Sequence, residues 1–285
     1  MQGPCRGGRA LSIGCARRGY RRDMHQGPTE PMSRDAVGGC VTLRNLTVRY
    51  AERVVALEGV SGVFSAGSLT AIVGANGAGK TTLLHAIAGL VAPRQGSIEI
   101  AGAETSADLA YLPQSDSIDR DFPISVLEFA ALGAWTRIGA FGRVPPGLRS
   151  RAENALQAVG LHKLASRMLG ELSAGQFRRA LFARVIVQDA TIVLLDEPFA
   201  GVDATTSDDL LGLVQSWHGE GRTVMVALHD LEQVLAIFPE TLLLARRPIA
   251  WGETATALTP EKLVEAGLAV PPQGPGSRLR LAMPS

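Results

Sequence analysis

The feature that most constrains this chain is an eight-residue run, Gly74-Ala-Asn-Gly-Ala-Gly-Lys80-Thr81, which fits G-x-x-x-x-G-K-[ST] at every fixed position. An apolar run, Ser68 to Val73, stops at its first glycine and reads as a strand buried on both faces. A helix is predicted from Lys80 to Leu90, ended by Gly89 and Pro93. Strand, glycine loop and helix in that order form a cradle for phosphate. Glycines let consecutive backbone N–H groups curl around phosphate oxygens where side chains would collide. The helix turns its positive end toward the same anion. Lys80 supplies a point charge to the β and γ phosphates, and the Thr81 hydroxyl is a ligand for Mg²⁺. Gly74, Asn76, Gly77, Gly79, Lys80, Thr81 and Thr82 are therefore candidate contacts to a nucleoside triphosphate.

A second strand, Thr191 to Leu195, delivers Asp196-Glu197 at its end. Open α/β sheets place their sites at the C-terminal edges of strands. Asp196 suits a magnesium ligand acting through water, and Glu197 suits orienting or deprotonating an attacking water.

The rest of the chain is consistent with an α/β core. Val41 to Tyr50 alternates apolar and polar residues, as a half-buried strand does, and further short strands are predicted at 54–57, 62–64, 97–100, 109–112, 223–228 and 241–244. Residues 120–172 read mostly as helix, broken by a Gly- and Pro-rich joint at 139–148, and form an insertion into the alternating pattern. Residues 1–39 carry seven arginines against three acids and read as a basic, disordered extension, while 256–285 read as a tail. The composition narrows the function. With 46% apolar residues, 19% charged and a net charge of +1, the chain is neither disordered throughout nor a nucleic-acid binder working by bulk charge. No run approaches the roughly 18 to 20 apolar residues of a membrane span, so any membrane role comes through a partner. All three cysteines, Cys5, Cys15 and Cys40, lie in the first 40 residues, which fits a reducing compartment and no disulfide scaffold.

From about residue 41 to 255 the chain resembles the nucleotide-binding subunit of ABC transporters. Leu172-Ser-Ala-Gly-Gln176 is similar to the family's signature, with Arg179 where an arginine is usual. Asp196-Glu197-Pro198 follows at the expected distance, Asp203 matches the D-loop, His229 the switch histidine and Gln114 the Q-loop glutamine. Tyr50 falls where an aromatic lies against adenine. The resemblance implies a RecA-like P-loop NTPase core with an antiparallel β subdomain and an inserted α-helical subdomain at about 120–175, in a domain spanning 40–255. It implies ATP and Mg²⁺ as ligands, with Thr81, Gln114 and Asp196 on the metal, and Glu197, His229 and Gln114 in hydrolysis. Two copies would sandwich two ATP molecules, with the Ser173 hydroxyl and Gly175 backbone touching the γ-phosphate across the dimer; Gln176 and Asp203 are further candidate nucleotide contacts. One position departs from the pattern: Ala174 replaces the second signature glycine, and a left-handed backbone there would cost on the order of 1 kcal/mol.

Gln114 to Glu128, with Asp119 and Phe122-Pro123, resembles the zinc and manganese importer subfamily, as does Gly201-Val-Asp203. That resemblance implies a subunit on the cytoplasmic face of the cell membrane, working on integral permease subunits and, indirectly, an extracytoplasmic binding protein, without nucleic acid. Zinc is the first expected cargo and manganese the second; the alternative is an exporter or an uptake system for a small organic ligand. Phe122, Phe129 and Trp135 are candidate lining for the groove that receives the permease. The five histidines, His25, His85, His162, His218 and His229, lack ligand spacing, so the transported metal is not expected to bind here.

Overall fold

The structure is a computed structural model, and it describes residues 11–13, 38–50, 54–103, 105–114, 118–139, 144–270 and 280–281. An antiparallel sheet holds β1 (Leu11–Ile13), β2 (Cys40–Tyr50), β3 (Val54–Phe64) and β5 (Gln95–Ala101), in the order β1-β5-β2-β3. A six-stranded sheet holds β4 (Leu69–Val73), β6 (Leu109–Leu112), β7 (Ile192–Asp196), β8 (Thr223–Leu228), β9 (Glu240–Ala245) and β10 (Arg247–Glu253), in the order β10-β9-β4-β8-β7-β6. All its pairings are parallel except β10 on β9.

Every residue of β4, β7 and β8 is buried, which is what a near-continuous apolar run requires of a central parallel strand. Alternate side chains serve two cores. Ile72, Ile192, Leu194 and Met225 face the helix α1 (Lys80–Ile87) and the antiparallel sheet. Leu69, Ala71, Val193, Leu195 and Val226 face the opposite side, which carries α5 (Ala174–Gln188), α6 (Ala204–Gly219) and α7 (Leu231–Ile237). Register fixes the site: Val73 pairs with Leu228, and Asp196 with Ala227. The loop after β4, the carboxylate ending β7 and His229 after β8 therefore emerge at one sheet edge.

The insertion comprises α2 (Val126–Ala131), α3 (Trp135–Ile138) and α4 (Leu148–Ala158), leading into α5. Ser125 starts α2 with a reciprocal cap: the Ser125 amide donates to the Glu128 carboxylate at 2.9 Å, and the Glu128 amide to Ser125 Oγ at 3.3 Å. Ala152, Ala155 and Leu156 of α4 are buried with Val126, Phe129 and Phe177.

Several expectations are corrected. The strands expected at 54–57 and 62–64 are one, β3, running through Gly59 at φ +63° where its register with β2 shifts. The extension contributes β1, which pairs with β5. Cys40, the first residue of β2, is disulfide-bonded. The domain also continues past 255. The helices α8 (Thr254–Ala257) and α9 (Pro260–Glu265) bring Leu258, Leu263 and Ala266 into the main core, before β11 (Ala269–Val270) pairs with β12 (Arg280–Leu281). Among the described residues no helix is long and apolar enough to cross a membrane.

Candidate nucleotide-binding and catalytic site

The loop joining β4 to α1 has the backbone that phosphate binding needs. Gly79 sits at φ +100°, where a Cβ would meet the Ala56 carbonyl oxygen at 2.6 Å. Gly77, at φ +76°, would place a Cβ within 4 Å of no described atom, so the loop's outer face is open. Lys80 is 6% exposed, and its ammonium donates to the carbonyls of Gly74 at 2.7 Å and Ala75 at 3.2 Å. Burial pushes the Lys80 ammonium below its ordinary pKa, opposed by the nearby charges of Glu197 and Asp196. The chain's expected contacts Asn76, Gly77, Gly79, Lys80, Thr81 and Thr82 line one cavity of about 480 Å³, together with Val54, Gln114 and Glu197. Gly74 is not among the residues lining it, and is packed so tightly that a Cβ would meet the Leu244 carbonyl oxygen at 2.3 Å. Tyr50, 42% exposed, pairs across the strands with the cavity-lining Val54.

Asp196 is fully buried, and Oδ1 has no hydrogen-bond partner among the described residues. Burial raises its pKa, while hydrogen bonds from Thr81 and Tyr111 and the charge of His85 act against the rise. Tyr111 donates to Asp196 Oδ2 at 3.4 Å and lies 2.9 Å from His85 Nε2. Burial and the Asp196 charge drive the Tyr111 phenol far above its ordinary pKa, so it remains a donor. An orphaned carboxylate oxygen beside a threonine hydroxyl is a donor set that fits a hard cation such as Mg²⁺.

Glu197 has a left-handed backbone at φ +48°, an uncommon conformation for a side chain of this size. It is held there by its amide, which donates to the Ala227 carbonyl at 3.1 Å, and by its own carbonyl, which accepts from the Ala200 amide at 3.2 Å. The consequence is that Glu197 leaves the sheet plane at the point where three cavities meet. One is the loop cavity; another, of about 290 Å³, contains His229; the third, of about 630 Å³, runs past Gln114 to Ala174 and Phe177. Gln114 borders two of the three.

The signature residues begin α5. Ser173 is its N-cap: Ser173 Oγ accepts from the Gln176 amide at 3.2 Å, and Gln176 Oε1 accepts from the Ser173 amide at 3.1 Å. In this bond Ser173 Oγ is the acceptor and its own proton is not used. Ala174 is the first helical residue, not left-handed, so the strain expected of a missing glycine does not arise. A Cβ on Gly175 would lie 3.9 Å from Asp203 Oδ2, which brings signature and D-loop together in one chain. Asp203 caps α6, accepting from the Thr206 amide and hydroxyl, both at 2.9 Å, and these bonds hold its carboxyl below the usual range. Arg179 donates to Thr206 Oγ1 at 3.3 Å and to Asp209 at 2.8 Å, tying α5 to α6.

The candidate groove residues separate. Phe129 is buried against Phe177, with the ring centroids 6.2 Å apart, whereas Phe122 and Trp135 are 61% and 53% exposed. Beside Trp135, Thr136 joins Leu90, Ala103, Tyr111 and Arg184 around an apolar cavity of about 510 Å³. Sequence reading missed Tyr111, His85 and Arg246. Arg246 binds the Ala78 carbonyl through its amide at 2.8 Å and accepts from the Glu58 amide at 2.8 Å, so it fastens the loop to the antiparallel sheet.

A phosphate loop, a buried carboxylate and a strained glutamate at one sheet edge define a P-loop nucleoside triphosphatase. A family model described as ABC transporter matches residues 57–200. The manganese transport system ATP-binding protein MntB of Bacillus subtilis is 40% identical over 78% of this chain and 90% of its own. The zinc transport system ATP-binding protein TroB of Treponema pallidum is 37% identical over 81% of this chain and 88% of its own. The solved structure of a metal-chelate type ABC transporter in an inward-facing conformation superposes with a TM-score of 0.71 at 28% identity, covering 86% of this chain and 97% of that one. This chain belongs to the ABC transporter family, as one of its ATP-binding, ATP-hydrolysing subunits.

Proposed function

We propose that the chain powers import of a divalent transition metal through separate membrane permease subunits, as a homodimer on the cytoplasmic face of the membrane. The observation that carries the catalytic part is Glu197, held in a strained backbone where the loop cavity, the His229 cavity and the Gln114 cavity meet. The cargo class is supported by relatives named for manganese and for zinc at 40% and 37% identity. Both metals stand among those names, so the proposal does not rank zinc first.

In this reading the loop amides and Lys80 grip the triphosphate, and Tyr50 stacks on the base. Thr81 and Asp196 hold Mg²⁺ with Gln114 nearby, and the ion, when bound, neutralises charge that builds on the phosphates. Glu197 orients the attacking water and accepts its proton, while His229 fixes the γ-phosphate from the neighbouring strand end. Ser173, Gly175 and Gln176 approach the nucleotide of the second copy from the start of α5, where backbone N–H groups favour an anion. Asp203, adjacent to Gly175, belongs to the same trans face. The cavity beside Trp135 and Thr136 receives the permease, which in turn works with an extracytoplasmic binding protein.

Elemental analysis of whole cells tests the proposal, comparing wild type with Glu197→Gln under metal limitation. A selective fall in manganese or zinc is expected. An unchanged metal profile with the protein expressed and ATPase-active wild type overturns the metal reading and favours an organic cargo or export.

A further inference from the structure

The segment after Gln114 and the segment before the signature are laced together. The Val126 amide donates to the Arg167 carbonyl at 2.9 Å and the Leu169 amide to the Ile124 carbonyl at 3.0 Å, with Ser125 bridging Met168 between them. Gly170 lies so close that a Cβ there would come within 3.1 Å of the Arg120 carbonyl oxygen. One side chain continues the seam to the signature itself. Arg120 Nη2 donates to the carbonyl of Leu172, the residue immediately before the Ser173 cap. Its guanidinium carbon stands 4.8 Å from the centroid of Phe177, in the first turn of α5. Its Nε is buried without a hydrogen-bond partner among the described residues.

These contacts fall on either side of Ser173: one on the loop entering the cap, the other on the helix leaving it. A planar guanidinium can serve both, since it donates in its plane while its face lies on a ring. Burying Nε unpaired opposes folding, so the side chain stands here against a local cost. Arg120 also lines the 630 Å³ cavity with Gln114 and Glu197, so it stands between the hydrolytic groups and α5.

We infer that Arg120 is a positioning residue: it fixes the Ser173 cap in the orientation that meets nucleotide bound by a second copy. The inference rests on the dimer reading above. It assigns Arg120 no contact with nucleotide in its own chain, which makes cis and trans effects separable.

The test uses the full chain carrying Glu197→Gln, so that nucleotide persists. Affinity for a fluorescent ATP analogue is measured at protein concentrations that keep the chain monomeric, and ATP-driven dimer formation by sedimentation. Arg120→Met is expected to leave monomer affinity unchanged and to weaken dimer formation about tenfold, the size of one lost charged hydrogen bond. Arg120→Lys, which keeps a donor and a charge but not the planar fork, restores only part of the difference. Unaltered dimer formation in Arg120→Met overturns the inference. So does an equal loss of monomer affinity and dimer formation, which makes the side chain a general support of the fold. A Glu197→Gln parent that stays monomeric with ATP overturns the dimer reading itself, and is recognised before Arg120 is changed.

Discussion

The two poles of the site are built in opposite ways. Lys80, at the start of α1, and Asp196, at the end of the buried strand β7, are buried at 6% and 0% exposure, and desolvation shifts both away from their ordinary pKa values. Ser173, Gln176 and Asp203 are held by helix caps at the surface, and local hydrogen bonds, not burial, set the Asp203 pKa. The first pole spends stability to hold charges where water cannot screen them. The second is rigid but solvated, which is what the proposed dimer would require of groups that meet a nucleotide held by a second copy. Under the proposed function chemistry and assembly fall to different poles, so variants at the two should fail differently.

The largest effect is expected at the buried pole. Glu197→Gln should lower phosphate release by about 10²- to 10⁴-fold, the usual worth of a positioned general base, while equilibrium ATP binding persists. A variant that still turns over at the parental rate removes Glu197 from the chemistry. Lys80→Met should weaken nucleotide binding by roughly 10- to 150-fold, the equivalent of about 1.5–3 kcal/mol for a charged hydrogen bond, as read by titration calorimetry.

Asp196→Asn sharpens the contrast from the side of stability. The asparagine variant should melt higher than the parent at neutral pH without nucleotide, by about 2–4 °C per kcal/mol relieved, and lose that advantage as pH falls toward 3.8. A lower melting point at neutral pH contradicts the desolvation account. The smallest effect belongs to the exposed pole. Ala174→Gly should lower folding stability by less than about 1 kcal/mol in denaturant titration and leave turnover unaltered, since Ala174 already has helical backbone.

The same division explains what could be read in the sequence. The phosphate loop, Asp196-Glu197 and the Ser173 cap are contiguous, so their chemistry is written in consecutive residue types. The central strands were legible because burial on both faces demands unbroken apolar runs. Strand β3 was read as two pieces because Gly59, whose left-handed backbone carries the bulge, looks like a strand end. The helices after 253 were missed because each is short and contributes a single leucine or two to the core. Tyr111 and His85 lie 26 residues apart and meet only when β6 and α1 pack, and Arg120 reaches Leu172 across 52 residues. No local spacing announces such pairs. Whether Ala174 carries strain stayed conditional in the sequence because the family pattern gives residue types and not dihedral angles; its backbone is helical.

The division between poles is tested most directly by mixing two silent variants. Lys80→Met disables the buried pole. Ser173→Asp keeps a good helix cap while setting a negative charge against the phosphates, so it disables only the exposed pole. Each is expected to be inactive alone. Mixed in equal amounts, they should recover hydrolysis toward about a quarter of the parental rate, because half the symmetric pairs become mixed and each mixed pair holds one intact composite site. A mixture as silent as its components, with both variants folded, contradicts a site shared between two chains.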